Sequence, residues 1–227
     1  MDFPCIKLHK NHKPINPKLC LNKQIDYDYY ISLLNYLYNQ VDMGFNPKYL
    51  VTLHYQNSAD YCRPLRETNN TLGFRDRYGF TASLPIWNSV AWDKFIDSCR
   101  NDIDLTMKNA SKIRNLILKL VYGVKRLDRP DKYKFPNLYF FHEKGKVKLQ
   151  FHTHILLPEC NLSTGELHDI FNTSIVKKCK CIARWKNIDV TDVNKNEVYE
   201  VMGYLNKETN SKHIPLDPLN SNPIISN

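Results

Sequence analysis

The chain has 227 residues, of which 42% are apolar and 12% aromatic, enough to bury the core of one domain with elaborations. Only 7 residues are Gly, which excludes collagen-like and low-complexity chains. Thirty-two Lys and Arg against 23 Asp and Glu leave a net charge of +9, which points towards phosphate-bearing partners. The basic residues gather at 7–18, 126–134, 144–148 and 177–186 with Tyr, Phe and Trp among them, as a single-strand binder would need. A basic protein with solvated faces has the same charge balance, so charge alone decides little. The 7 Cys include no C-x-x-C pair, and Met1–Cys5 opens no apolar run of signal-peptide length. No segment approaches the roughly 20 apolar residues of a membrane span. A soluble protein of a reducing, intracellular compartment is therefore expected, without a membrane partner.

In chain order, residues 1–25 read as a basic arm containing Pro4, Pro14 and Pro17. Ile31, Leu34 and Leu37 lie at helical spacing and predict a helix over 26–40. Tyr49–Gln56 is β-branched and aromatic and reads as a strand. Asn57–Asn88 shows no periodicity and reads as irregular structure or an insertion. Ile103, Met107, Ile113, Leu116, Ile117, Leu120 and Val124 predict a helix over 101–125. Asn137–His142 and Val147–Leu157 read as two strands joined across Gly145. Ser163 with Glu166 three residues later marks a helix start. Cys181–Val190 reads as another strand, Lys195–Glu208 as a last helix, and Pro215, Pro218 and Pro223 mark an irregular tail. This β-α-β-β-α-β string predicts an α+β, ferredoxin-like or RRM-like antiparallel sheet with helices over one face. The other face would then be free to hold a site.

Two local patterns carry chemistry. In the strand around Phe151-His152-Thr153-His154, alternate side chains share a face, so His152 and His154 project together and can share one divalent cation. With 8 His in the chain such a pair also arises by chance, on an exposed polar strand face. In the last helix, Tyr204 and Lys207 occupy neighbouring positions of one face. A phenol needs a nearby cation to act as a nucleophile near neutral pH. Such a pair is also ordinary amphipathic surface.

Taken together and in this order, the two patterns resemble the HUH endonucleases, in particular the replication initiators of small plasmids and single-stranded DNA viruses. The family's His-hydrophobic-His motif matches His152-Thr153-His154, with Thr153 keeping the branched shape. Its tyrosine-then-lysine helix motif matches Tyr204 and Lys207, and its first motif matches Tyr49–Asn57 loosely. The resemblance implies a nuclease domain over 48–208 with an insertion near 57–100, preceded by an arm and helix over 1–47 and followed by a tail over 209–227. It implies Mn²⁺ or Mg²⁺ held by His152, His154 and a third ligand. It also implies a Tyr204 that nicks single-stranded DNA by transesterification, leaving a 5′-phosphotyrosine and a free 3′-OH, with Lys207 assisting. A single-tyrosine HUH transposase or a non-catalytic single-strand binder are the alternatives.

Glu143 is the choice for the third ligand, because related initiators carry a carboxylate on the preceding strand. The spacing leaves two outcomes open. A tight turn at Gly145-Lys146 would pair Glu143 with Lys148 and leave the carboxylate about 13 Å from His152. A wider loop would bring it to the metal. His54 is the reserve ligand or a DNA contact, and Tyr199 is expected to pack or bind DNA rather than share the site. Further DNA contacts are expected from Lys177, Lys178, Arg184, Trp185 and the basic arm. The expected partner is an origin, as a hairpin or stem-loop. No G-x-x-x-x-G-K-[ST] occurs, so unwinding would fall to a host helicase, with a host polymerase extending the 3′ end. The expected compartment is the host cytoplasm, or the nucleus for a eukaryotic virus. Cys5, His9, His12 and Cys20, or Cys179 with Cys181, match no common zinc spacing.

Overall fold

The structure is a computed structural model and describes residues 24–54, 63–68, 71–75, 81–85, 103–128, 135–144, 151–175, 178, 188–210 and 212–224. Cys5, His9, His12, Cys20, Lys177, Cys179, Cys181, Arg184, Trp185, most of the arm and the Gly145-Lys146 turn lie outside the described residues.

The first helix, α1 (Gln24–Asp42), covers the helix expected over 26–40. It buries Tyr30, Ile31, Leu34, Leu37 and Tyr38, which recur at helical spacing. Gly44 ends it with φ 106°, a left-handed conformation in which glycine meets no Cβ clash. The Phe45 N–H then reaches back to the Gln40 carbonyl at 2.9 Å, and the Gly44 N–H to Val41 at 3.0 Å, closing a Schellman-type cap.

Strand β1 (Pro47–His54) follows with strictly alternating burial at Pro47, Tyr49, Val51 and Leu53. Residues 63–85 contain β2 (Arg63–Thr68), β3 (Thr71–Arg75) and β4 (Thr81–Pro85), an antiparallel three-stranded sheet in the order β2-β3-β4. Of the two readings of 57–88, irregular structure or an insertion, these strands correct the first; short and polar, they leave no periodic trace. Helix α2 (Ile103–Leu120) leads to β5 (Tyr139–Lys144) and β6 (Phe151–Pro158). Helix α3 (Thr164–Ile170) starts on the expected capping box, in which Ser163 and Glu166 satisfy each other's backbone N–H, and runs on as a π turn over Phe171–Ile175. Then come β7 (Ile188–Asp192) and α4 (Val198–Leu205). Among the described residues no helix is long and apolar enough to cross a membrane.

β5, β6, β1 and β7 form one sheet in that order, with every neighbouring pair antiparallel. Together with α2 between β1 and β5 and α3 between β6 and β7, this is a β-α-β-β-α-β arrangement. One face carries Tyr49, Val51, Leu53, Phe140, Ile155, Leu157, Ile188 and Val190, packed on Ile113 and Ile117 of α2 and Leu167 of α3. The opposite face was expected to be free of helices, and it is not. Tyr139, Phe141 and Leu156 there form a second core with Leu34 and Leu37 of α1 and Met202 and Leu205 of α4. Apolar residues alternate onto both faces of β5 and β6, so each face requires a cover. Among the described residues, only the end of this second face, where polar residues replace apolar ones, is left to a site.

The tail over 212–224 has a defined place. His142 donates its N–H to the Pro215 carbonyl at 2.7 Å, Asp217 to Phe140 at 2.8 Å, and Asn222 to Leu138 at 2.7 Å. The tail thus occupies the outer edge of β5, an edge whose unpaired backbone groups would otherwise invite another strand.

Candidate metal and tyrosine site

β5 and β6 are paired so that Glu143 lies directly opposite His152, and Phe141 opposite His154. Directly opposed residues share a face, so Glu143, His152 and His154 point the same way, onto the face covered by α1 and α4. The register requires a connection wider than a two-residue turn between Lys144 and Phe151. The tight-turn pairing of Glu143 with Lys148, and its long separation from His152, are thereby excluded.

The three side chains converge. Glu143 Oε2 lies 3.4 Å from His152 Nε2 and 3.7 Å from His154 Nε2. One ligand atom from each residue falls within 4.8 Å of the others, so the group can hold a metal ion. Glu143 and His154 are buried, with side chains 2% and 6% exposed, whereas His152 reaches solvent at 16%. Burial pushes the Glu143 carboxyl up, but His152, His154 and Lys207 outweigh it and hold the group well below the usual carboxylate range. Burial lowers His154 below the ordinary imidazole value, against the pull of Glu143, which favours its neutral form. Both residues are therefore in the state a cation requires.

Two buried atoms of this group, Glu143 Oε1 and His154 Nε2, have no hydrogen-bond partner. Buried polar atoms are nearly always paired, and an exception calls for an explanation. A cation held by the carboxylate and the imidazoles would occupy both, so the donor set fits one. Carboxylate with imidazole suits several divalent metals and does not select among them.

Tyr204 of α4 and Lys207 of the turn after it meet this group. The helix was expected to run to 208 and ends instead at Leu205. Asn206 stops it, because its buried amide donates to the Tyr30 carbonyl at 2.9 Å and its side-chain oxygen accepts from Thr209. Lys207 therefore sits in the following turn, where its ammonium lies 2.5 Å from Glu143 Oε2. The same ammonium is 3.5 Å from the centre of the Tyr204 ring. The Tyr204 ring centre is 6.2 Å from that of His154, and the residue is 53% exposed. Tyr204 is thus exposed beside the group that could hold a cation.

His54 is opposite His152 on β1, exposed, with its ring stacked on His152 at 5.3 Å. It belongs to the rim of the site and not to the three-residue group. Tyr199 is turned away from the site: its hydroxyl donates to Asp42 at 2.6 Å and its ring packs edge-on against Tyr38 of α1. Lys178 is exposed.

Sequence reasoning missed Thr52. It is opposite His154 on β1, and its hydroxyl lies 3.0 Å from His154 Nδ1. It also missed His142, which faces the other side of the sheet. Its ring nitrogens meet Thr153 Oγ1 at 2.8 Å and Asp217 Oδ2 at 2.9 Å, deep in the protein. A period of two places Thr52 with His54 on one face, but nothing local reveals which strand that face meets.

Comparison with protein-family models, with curated proteins and with solved structures returns no match for this chain.

Proposed function

We propose that this protein is a metal-assisted endonuclease of the HUH type, a rolling-circle replication initiator that nicks single-stranded DNA and remains joined to the cut 5′ end. The reading rests above all on one observation: a buried carboxylate and two imidazoles, with Glu143 Oε1 and His154 Nε2 lacking hydrogen-bond partners, lie beside an exposed tyrosine that carries a lysine ammonium on its ring. The net charge of +9 supports a polyanionic substrate.

In this reading Glu143, His152 and His154 would hold Mn²⁺ or Mg²⁺. The bound cation would supply electrophilic help by polarising the scissile phosphate. Tyr204 Oη attacks phosphorus, the Oη–P bond forms and the P–O3′ bond breaks. The phenol proton leaves to solvent, and the departing 3′-oxygen takes one up. The products are a 5′-phosphotyrosine and a 3′-OH that a polymerase can extend. Because a phosphodiester replaces a phosphodiester, the reaction runs backwards when a 3′-OH attacks the tyrosyl ester. Lys207 stabilises the phenolate and the charge that gathers on phosphate oxygens. His54 offers an exposed ring beside His152 on which a base can stack. The substrate is an origin hairpin or stem-loop, and host helicase and polymerase act before and after the nick.

The test is a denaturing gel with labelled single-stranded origin candidates, Mn²⁺, the wild-type chain and Tyr204→Phe, with an EDTA control. A band that survives SDS, requires metal and is absent with Tyr204→Phe is expected. Adducts persisting in the variant would place the nucleophile elsewhere. Binding without adducts, over all candidates and metals, would favour a non-catalytic single-strand binder.

A further inference from the structure

His154 is the most deeply placed imidazole of the candidate site, and its two ring nitrogens have different surroundings. Nε2 points into the group with Glu143 and has no hydrogen-bond partner, whereas Nδ1 meets the Thr52 hydroxyl at 3.0 Å across the β1–β6 pair. We infer that Thr52 is a positioning residue that keeps His154 Nε2 available as a ligand, its hydroxyl pairing Nδ1 whichever ring nitrogen carries the proton. The inference rests on the metal-binding reading of the group.

A neutral imidazole carries its proton on one nitrogen only. If the proton is on Nε2, it faces the Glu143 carboxylate and blocks the ligand atom, and Nδ1 must accept. If it is on Nδ1, Nε2 offers its lone pair and Nδ1 must donate. A hydroxyl can do either, because it both donates and accepts. An alkyl side chain at 52 would leave a buried Nδ1–H without an acceptor. The proton would then stay on Nε2, facing Glu143. A carboxylate at 52 would lock the Nδ1–H form, but would add a second negative charge beside the one on Glu143. Thr52 thus gives the ligand-ready form a partner without adding charge. The register fixes the geometry, since Thr52 and His154 are Cα partners on β1 and β6, the two inner strands of the sheet.

Thr52→Val keeps the branched shape and removes the hydroxyl; Thr52→Ser keeps the hydroxyl. Two measurements on the full chain are needed: calorimetric titration with Mn²⁺ alone, and ¹⁵N–¹H correlation of the imidazole rings in metal-free protein. Thr52→Val is expected to weaken Mn²⁺ binding about tenfold and to move His154 towards the form protonated on Nε2, while Thr52→Ser stays within about threefold of wild type. Equal Mn²⁺ affinity and an unchanged ring pattern in Thr52→Val would overturn the inference and leave the metal site standing. Equal losses in Val and Ser variants would also overturn it, because the hydroxyl would then not be the cause. No Mn²⁺ binding by the wild-type chain would bring down the metal site and this inference with it. Should Val fail to fold, Thr52→Ala is expected to show the same loss, and wild-type affinity in it would overturn the role of Thr52.

Discussion

β5 and β6 contribute to a histidine–carboxylate cluster on each face, one completed by Asp217 of the tail, and the two differ in how completely their atoms are paired. On the face towards α2, His142 has Thr153 on one ring nitrogen and Asp217 on the other. Asp217 accepts further from Asn220 and from the Leu219 and Asn220 backbone, at 2.5–3.1 Å. That cluster is closed. On the face towards α4, Glu143 and His154 each keep a buried atom without a hydrogen bond, and the cluster opens towards solvent through His152 and Tyr204. Neighbouring residues of β5 and β6 thus make a structural joint with Asp217 on one side and, on the other, a group with unpaired atoms that could hold a metal ion. Satisfaction of hydrogen bonds, rather than residue type, tells the two apart.

The largest effect expected from this contrast is on stability. Asp217→Asn presents an amide N–H to groups that need an acceptor and leaves His142 buried without its carboxylate. Removing one member of a buried pair costs about 3 kcal/mol. Denaturant unfolding is expected to show that loss, with Mn²⁺ affinity of the folded variant within about threefold of wild type. Burial raises the Asp217 carboxyl, but His142 and Asn220 prevail and hold it below its ordinary value. A carboxyl depressed in the folded state stabilises fully above its unfolded pKa, near 4, and ceases to do so as pH falls through the folded value. The gap between wild type and Asp217→Asn is therefore expected to narrow as pH drops below about 4. A gap that stayed constant to lower pH would mean that Asp217 does not act through its charge.

Glu143→Gln is the reciprocal substitution. It is expected to weaken Mn²⁺ binding on the order of a hundredfold, about 2.7 kcal/mol, since a ligand oxygen and its charge are lost. Its effect on unfolding is expected to be much smaller than that of Asp217→Asn, because Lys207 is 26% exposed and can turn to water. If Glu143→Gln unfolded the protein while Asp217→Asn removed metal binding, the assignment of the two clusters would be reversed.

Much of the open cluster was legible in the sequence, because it depends on short spacings. The alternation in β6 placed His152 and His154 on one face. Tyr204 and Lys207 do meet, but through the turn after α4 rather than along one helical face. The element order likewise gave the β-α-β-β-α-β sheet. What was not legible depends on register and on distant chain. Whether Glu143 or His142 faces His152 hinges on how the loop between β5 and β6 closes, and a shift of one residue would exchange them. Thr52 reaches His154 only because β1 lies beside β6, and Asp217 reaches His142 from a tail with no secondary-structure signal. The end of α4 was misplaced for the same reason, since Asn206 stops the helix by bonding to Tyr30 of α1. The three short strands over 63–85 gave no period to read.

The smallest effect concerns Lys207, which the open cluster holds in two relations at once. Its ammonium is 2.5 Å from Glu143 Oε2 and 3.5 Å from the centre of the Tyr204 ring. Lying on the Glu143 carboxylate, the ammonium opposes any cation that the carboxylate would hold, although partial exposure screens the repulsion. Lys207→Gln is therefore expected to bind Mn²⁺ about tenfold tighter than wild type, about 1.4 kcal/mol, while forming the covalent adduct more slowly. Titration with Mn²⁺ and a time course of adduct formation separate these two effects. Tighter binding with slower chemistry would mean that the lysine trades metal affinity for help to the phenolate. Unchanged binding would mean that Lys207 leaves Glu143 before the cation arrives and acts on Tyr204 and the phosphate alone.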